Sequence, residues 1–482
     1  MKGSKSVAVF GTSSGAGKSL VSSLLIKHFK ESGYSVAPFK ALNVSLNSFA
    51  GKDGEVAYAQ AFQARVAGIE PEADMNPVLV KPEAGRLHVV LRGRAIGSVT
   101  VEEFYSERFQ EVLRKAIEES FRRLSSEHEL IVIEGTGSPT EINLPDLSNR
   151  YVLEMSGARY VLVSDMHLGG SIASSLGTVE ILGKEKLIGV VFNRYSGSPE
   201  LIRPLFDLML ERFGIKVLGY LPLYDLASPW EDSADQVRAK YGRIKVLFVR
   251  SPYMSNFTDA FPLYFYPDVG ISFQGFVSRG FDLIVFPGSK VTYEDLKYLR
   301  SVNAAEEARE AAEEGSLIMG ICGGLQALGE KVIDSVESKK GEFEGLGLLK
   351  AKTVMQGEKI VSRTEAEVLR GPASGELIRG YEIHYGLTEH KQPFELITKR
   401  NGLRANELSG AYEGSVFGTY VHGIFDNPGF SLKLINYLRK KRGLGEISER
   451  DLESFDELFQ SIYADFEKNV DLSYVDEALG LK

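Results

Sequence analysis

"SVAVFGTSSGAGKSLVSSLLIKHF", from Ser6 to Phe29, sets a lysine in a turn of small residues between a short apolar run and a helix-like one. Val7 to Phe10 reads as a buried strand, while Leu20, Leu24, Leu25 and Phe29 recur at helical spacing. Between them Gly11, Gly15 and Gly17 let the backbone fold tightly, so that several N–H groups face one anion. The helix that follows adds its positive end to the same spot. Lys18 then reaches the outer phosphates of a nucleotide, and the Ser19 hydroxyl ligates Mg²⁺. The match to the usual G-x-x-x-x-G-K-S pattern is loose: Thr12 stands where a glycine is expected, and the leading glycine, Gly11, comes one residue early. A strand–helix turn with an exposed lysine is the plainer alternative. The strand before, the helix after and the intact Gly17-Lys18-Ser19 favour ATP or GTP.

From that strand outward, the first half alternates apolar runs with amphipathic segments. "YSVAPF", "ELIVIEG", "YVLVSD", "IGVVFNR" and "VLGYLP" predict further buried strands, and 101–124, 171–182 and 199–212 predict helices between most of them. This is the pattern of an α/β, doubly wound parallel sheet, in which ligands sit beyond the carboxyl ends of the strands. The stretch "LASPWEDSADQVRAKYG" is polar and lacks periodicity, which predicts a domain over 1–225, a linker over 226–243 and a second domain over 244–482. A second alternation follows in "IKVLFVR", "FDLIVFPGS", "SLIMGIC" and "SVFGTYVHGIFD"; from about Glu446 the chain reads as acidic, amphipathic terminal helices.

The length of 482 residues fits several domains, and 43% hydrophobic with 25% charged residues is ordinary for a soluble globular protein. A net charge of −9 argues against nucleic acid as a main partner, since neutralising phosphates needs a basic surface. No apolar run approaches the roughly 20 residues of a membrane helix, and "VAVF" is too short for a signal-peptide core. The expected location is the cytoplasm.

The single cysteine, Cys322, excludes disulfides within the chain and any all-cysteine metal site. It lies in Gly320-Ile-Cys-Gly-Gly324, between an apolar strand and a helix, which is the pattern of a nucleophile elbow with cysteine in place of serine. The helix N-terminus favours the thiolate, and turn N–H groups such as that of Gly323 are suited to an oxyanion. A packed cysteine at a tight turn is the plainer alternative. Of the seven histidines, His28 and His128 sit in polar surroundings and His88 in a strand-like alternation. His422 ends an apolar run in the same half as Cys322, where a general base would be brought to the elbow, with His384 as competitor. A third, orienting acid is open between Glu382 and Asp426.

Taken together, "GTSSGAGKS", "VAPFKALNVSLNSF", "DMNPVLVKP", "EGTGSPTEINL", "GICGGLQALGE", "YEIHYG" and "FGTYVHGIFDN" resemble the cobyric acid synthase family, glutamine-hydrolysing amidotransferases of cobalamin synthesis. The resemblance runs from residue 6 to about 440. It implies a dethiobiotin-synthetase-like phosphate-turn domain followed by a class I glutamine-amidotransferase-like α/β domain. It further implies glutamine hydrolysis at Cys322 with His422, and ATP- and Mg²⁺-dependent amidation of a corrinoid polycarboxylate, adenosylcobyrinic acid a,c-diamide. Lys18 and Ser19 carry over from the motif. Glu134, ending "ELIVIEG", is a second candidate Mg²⁺ ligand; its plainer role is capping a turn. Lys40 and Asn43 are candidates for phosphate or substrate, Lys81, Arg92 and Arg94 for acceptor carboxylates, and Asn193 for the nucleotide base. A homo-oligomer is compatible with all of this.

One departure bears on the acceptor. Where the family usually shows Asp-x-Asp-Arg-Gly-Gly, this chain has Asp165-Met-His-Leu-Gly-Gly170. The alternatives are the same chemistry on another polycarboxylate, such as a cell-wall precursor, or a partitioning-type ATPase switch with a silent second domain. The switch is disfavoured by Ser13, where such ATPases carry a second lysine, and by the intact Gly-Ile-Cys-Gly-Gly.

Overall fold

The computed structural model describes residues 4–167, 169–224 and 239–481. The first half is a six-stranded parallel sheet built from β1 (Lys5–Gly11), β2 (Val36–Phe39), β3 (Leu130–Glu134), β4 (Arg159–Asp165), β5 (Leu187–Tyr195) and β6 (Val217–Pro222), in the spatial order β6-β5-β4-β1-β3-β2. All six correspond to apolar runs of the sequence. Alternate residues of β1 serve the two faces: Val7 and Val9 join one core, Ala8 and Phe10 the other. Helices cover both faces, as a parallel sheet requires. The predicted helices at 171–182 and 199–212 are present as Ser171–Leu182 and Pro199–Phe213. That predicted over 101–124 is two helices, Val101–Phe104 and Glu107–Glu127, because Ser106 caps a fresh start by accepting the Phe109 N–H.

The second half holds another sheet, with β7 (Ile244–Val249), β8 (Val269–Gln274), β9 (Leu283–Phe286), β10 (Leu317–Ile321), β11 (Ala411–Glu413) and β12 (Val416–Thr419) in the order β8-β7-β9-β10-β12-β11; only the β11 edge is antiparallel. A mostly antiparallel sheet dominated by the hairpin of Lys352–Val368 and Leu377–Glu389 projects from it toward the first domain. Most of the expected linker, and Leu168 of the departure noted above, lie outside the described residues.

The terminal helices form as Phe455–Asn469 and Leu472–Ala478 and share a core with the first domain, while Phe455 at their start packs against Phe261 and Phe265 of the second. Ile462, Tyr463 and Phe466 share a core with Leu20, Val21 and Leu24 of the helix after the phosphate turn. Amphipathic spacing predicts an apolar stripe without saying what covers it.

Candidate active site

The phosphate turn joins β1 to the helix Lys18–Glu31. Gly15 and Gly17 take φ of 67° and 99°, a left-handed backbone that glycine adopts freely. Gly17 has a second constraint, since a Cβ there would lie 2.0 Å from the Asn193 amide nitrogen. Lys18 curls back over the turn and donates to the carbonyls of Ser13 (3.0 Å) and Gly137 (2.9 Å). The Ser19 hydroxyl donates to Oε1 of Glu134 at 2.8 Å. Glu134, at the end of the neighbouring strand β3, is fully buried and also receives Lys40 (2.8 Å) and Gln63 (2.5 Å). Ser19 and Lys40 therefore converge on Glu134, Gln63 joins them without any motif to announce it, and Lys18 lies over the adjoining turn. The Ser19–Glu134 pair is all oxygen. It suits Mg²⁺, which takes one or two protein oxygens and completes its shell with phosphates and water.

Asn193 lies against the turn, donating to the Ala16 carbonyl at 2.8 Å. Asn43 donates to Gln60 at 3.0 Å. Arg194, unremarked in the sequence, pairs with Asp165 and donates to the Gly15 carbonyl at 2.8 Å. In the departing segment, Asp165 thus braces the phosphate turn through Arg194. Arg92 is occupied by Asp74 (3.0 Å) and Glu119 (3.1 Å), and Arg94 lies at the surface.

Cys322 caps the short helix Gly323–Leu328 with φ 52° and ψ −108°, a strained backbone for a residue with a Cβ. Its N–H donates to the Thr419 carbonyl at 2.7 Å, tying the elbow to β12, the strand that leads to His422. Glycines are needed where neighbours close in: a Cβ on Gly324 would sit 1.9 Å from the Phe286 carbonyl oxygen, and one on Gly323 2.6 Å from the Ser289 nitrogen. Gly324→Ala is accordingly expected to cost about 3 kcal/mol, the upper part of the overpacking range, read as a lowered denaturant midpoint at unchanged slope. A midpoint equal to wild type would contradict this packing.

His422 is held on three sides. Its backbone pairs with Tyr381 (2.9 and 3.1 Å), its ring stacks on the Tyr381 ring, and its Nδ1 donates to Oδ2 of Asp259 at 2.7 Å. The other carboxylate oxygen of Asp259 accepts the Gly423 N–H at 2.8 Å. Burial disfavours the imidazolium, but Asp259 and the Cys322 sulfur outweigh it and raise the His422 pKa to about 10. With Nδ1 committed to Asp259, Nε2 is left for the thiol.

The acid in line with His422 is thus Asp259, and neither open candidate takes that place. Glu382 is locked to Arg400 (2.7 Å) and Thr364 (2.8 Å) and faces His384 (3.4 Å); Asp426 is exposed at the surface. His384, the competitor, turns its Nδ1 to the Gly386 carbonyl at 2.7 Å and stacks on Tyr420. Asp259 stands alone in the apolar stretch "NFTDAFPLYF"; a lone carboxylate between buried aromatics was the available signal.

The cavity beside Cys322 has walls from both domains: Ser289, Lys359 and His422 on one side, Ser48 and Lys81 on the other. Lys81 is buried there, bonded to Ser48 (2.8 Å) and to Glu55, which also receives Lys359 (2.7 Å). Burial pulls the Lys81 ammonium down to about 8 against the attraction of Glu55.

A nucleotide-binding domain fused to a glutamine amidotransferase domain, in one chain, defines a glutamine-dependent amidoligase. Residues 7–235 match the CobQ/CobB/MinD/ParA nucleotide binding domain, and residues 245–430 the CobB/CobQ-like glutamine amidotransferase domain. The chain is 42% identical to a Thermococcus onnurineus protein named "Probable cobyric acid synthase", over 99% of each chain. It is 37% identical to a "Cobyric acid synthase" of Clostridium botulinum (strain Loch Maree), again over 99% of each. It belongs to the cobyric acid synthase family, whose members are glutamine-dependent amidoligases of cobalamin biosynthesis. Among the described residues, no helix is long and apolar enough to cross a membrane.

Proposed function

We propose that this chain converts the b, d, e and g side-chain carboxylates of adenosylcobyrinic acid a,c-diamide to amides, using ATP and glutamine. The observation that carries the reading is the Cys322–His422–Asp259 line opening on a cavity partly walled by the nucleotide-binding domain. In the amidotransferase half, the Cys322 thiolate attacks the side-chain amide carbon of glutamine. The C–N bond breaks as His422 gives its proton to the leaving nitrogen, and ammonia departs. Water, deprotonated by His422, then cleaves the thioester to release glutamate.

In the nucleotide-binding half, a carboxylate oxygen of the acceptor attacks the terminal phosphorus of ATP, ADP leaves, and an acyl phosphate forms. Ammonia adds to the acyl carbon and phosphate departs. Lys18, curled over the phosphate turn, would neutralise charge on the phosphates. Ser19 and Glu134 would hold Mg²⁺, which screens the phosphates from the incoming carboxylate. Phosphorylation is needed because a carboxylate is a poor electrophile. Shelter between the sites is needed because ammonia released into bulk water is protonated and lost as a nucleophile.

The test is to incubate the protein with ATP, Mg²⁺, glutamine and adenosylcobyrinic acid a,c-diamide and to follow the corrinoid by mass spectrometry. Successive carboxylate-to-amide conversions are expected, and none without ATP. An unchanged corrinoid alongside rapid glutamine hydrolysis would reject this acceptor and direct attention to another polycarboxylate.

A further inference from the structure

The segment from Lys40 to Phe49 touches both sites. At its first end, Lys40 reaches Glu134 at 2.8 Å, beside Ser19 of the phosphate turn. At its other end it crosses into the amidotransferase domain. Oδ1 of Asn47 accepts the Phe257 N–H at 3.1 Å, and the Ser48 carbonyl accepts from the Asn256 side chain at 2.7 Å. All four residues of this junction, Asn47, Ser48, Asn256 and Phe257, are buried.

What they hold is the start of the 3-10 helix Phe257–Phe265, which carries Asp259 in its first turn. The first N–H groups of a helix have no partner within it. Here one is satisfied by a side chain from the other domain, and Asn256, at φ 52°, fixes the turn by accepting the Asp259 N–H at 3.0 Å. The base is approached from the same direction. The Phe49 ring lies 4.7 Å from that of Tyr381, whose ring stacks on His422 and whose hydroxyl accepts from Asn256 at 2.7 Å. Acid and base of the amidotransferase site both rest on three consecutive residues of the nucleotide-binding domain.

We infer that Asn47, Ser48 and Phe49 are positioning residues for the Cys322–His422–Asp259 site, coupling glutamine hydrolysis to the segment that ends on Glu134. The inference rests on the amidotransferase reading of Cys322 given above. It places the coupling in two contacts: the Asn47 cap on the Asp259 helix and the Phe49–Tyr381–His422 stack. A shift of the segment at the phosphate end then alters the alignment of a triad to which it contributes no reacting atom.

The test measures glutamine hydrolysis and ammonia-driven, ATP-dependent amidation separately in the full chain. Asn47→Ala and Phe49→Ala are each expected to lower kcat for glutamine hydrolysis roughly tenfold to a hundredfold, the scale of a misaligned reacting group. KM for glutamine and ammonia-driven amidation should stay near wild type. Asn47→Asp keeps the acceptor that caps Phe257 and should recover most of kcat. Arg363→Gln, which removes an exposed cross-domain ion pair to Glu70, should leave both activities unchanged. Wild-type kcat in both alanine variants, an equal loss of ammonia-driven amidation, or the same defect in Arg363→Gln would each overturn the inference. A wild-type chain that released no ammonia from glutamine would instead sink the functional reading, and the inference with it.

Discussion

Cys322→Ala should reduce glutamine-dependent amidation to background, a loss of about 10⁴-fold or more, while amidation driven by added ammonium salt at alkaline pH stays within about twofold of wild type. The expected separation follows from where the residue sits. Cys322 is the sole thiol of the chain, held at φ 52° on the elbow and joined to His422 and Asp259. Alanine removes the sulfur without adding bulk, so the left-handed backbone, the Thr419 tie and the close contacts of Gly323 and Gly324 can persist. Ammonia supplied from solution bypasses the thioester and needs only the phosphate site, whose Lys18, Ser19 and Glu134 belong to the other domain. Glutamate release is read by a coupled dehydrogenase assay, and amidation by mass spectrometry of the acceptor. Undiminished glutamine hydrolysis would remove Cys322 from the chemistry. Loss of the ammonia-driven reaction as well would show that the variant damages more than the thiol.

The parts of this site that were legible in the sequence are those in which a local constraint dictates composition. A backbone that must point N–H groups at phosphate needs glycine at left-handed φ, so Gly15-Ala-Gly-Lys-Ser is readable without knowing the fold. The elbow around Cys322 is readable for the same reason, and His422 because polar residues that end apolar runs gather at one edge of a parallel sheet. Asp259 was not legible because nothing local requires it. It precedes the elbow by three strands, on a 3-10 helix among aromatics, and meets His422 only once the sheet is assembled. Glu382, a candidate for the acid, and His384, a candidate for the base, are directed by their strand to each other, and Glu382 also to Arg400, rather than to Cys322 and His422. The terminal helices illustrate the same limit. Sequence order assigns them to the second domain, but Ile462, Tyr463 and Phe466 are covered by the first domain's Leu20, Val21 and Leu24, and Phe455 packs on Phe261 and Phe265 of the second. Gln63 and Arg194 reached the phosphate site through pairings that single-residue propensities do not encode.

Asp259→Asn is expected to lower kcat for glutamine hydrolysis by roughly 10²- to 10³-fold, short of the about 10⁴-fold that the equivalent change costs a serine triad. The smaller figure reflects the nucleophile, since a thiol ionises near pH 8.5 and needs less help from its base than an alcohol does. The amide would still accept the Gly423 N–H, so the helix and the ring should keep their places, but its NH₂ group can donate to Nδ1 and favour the tautomer with the proton on Nε2. The change also removes an anion from a buried site. His422 is held at about 10 against burial, chiefly by that anion, so its pKa must fall toward or below the ordinary imidazole value of about 6.5. The sign of the pH effect follows. The thiolate–imidazolium pair loses its proton as pH rises through the pKa of the pair, so the alkaline limb of the kcat profile should move to lower pH in the variant. Ammonia-driven amidation supplies the internal control, because Asp259 makes no contact with the phosphate site and its loss should leave that reaction untouched. A variant with a normal rate and an unshifted alkaline limb would show that the 2.7 Å contact to His422 orients nothing that the reaction uses. The role of third residue would then be open again, and Asn47, which acts through the same helix, would lose its target with it.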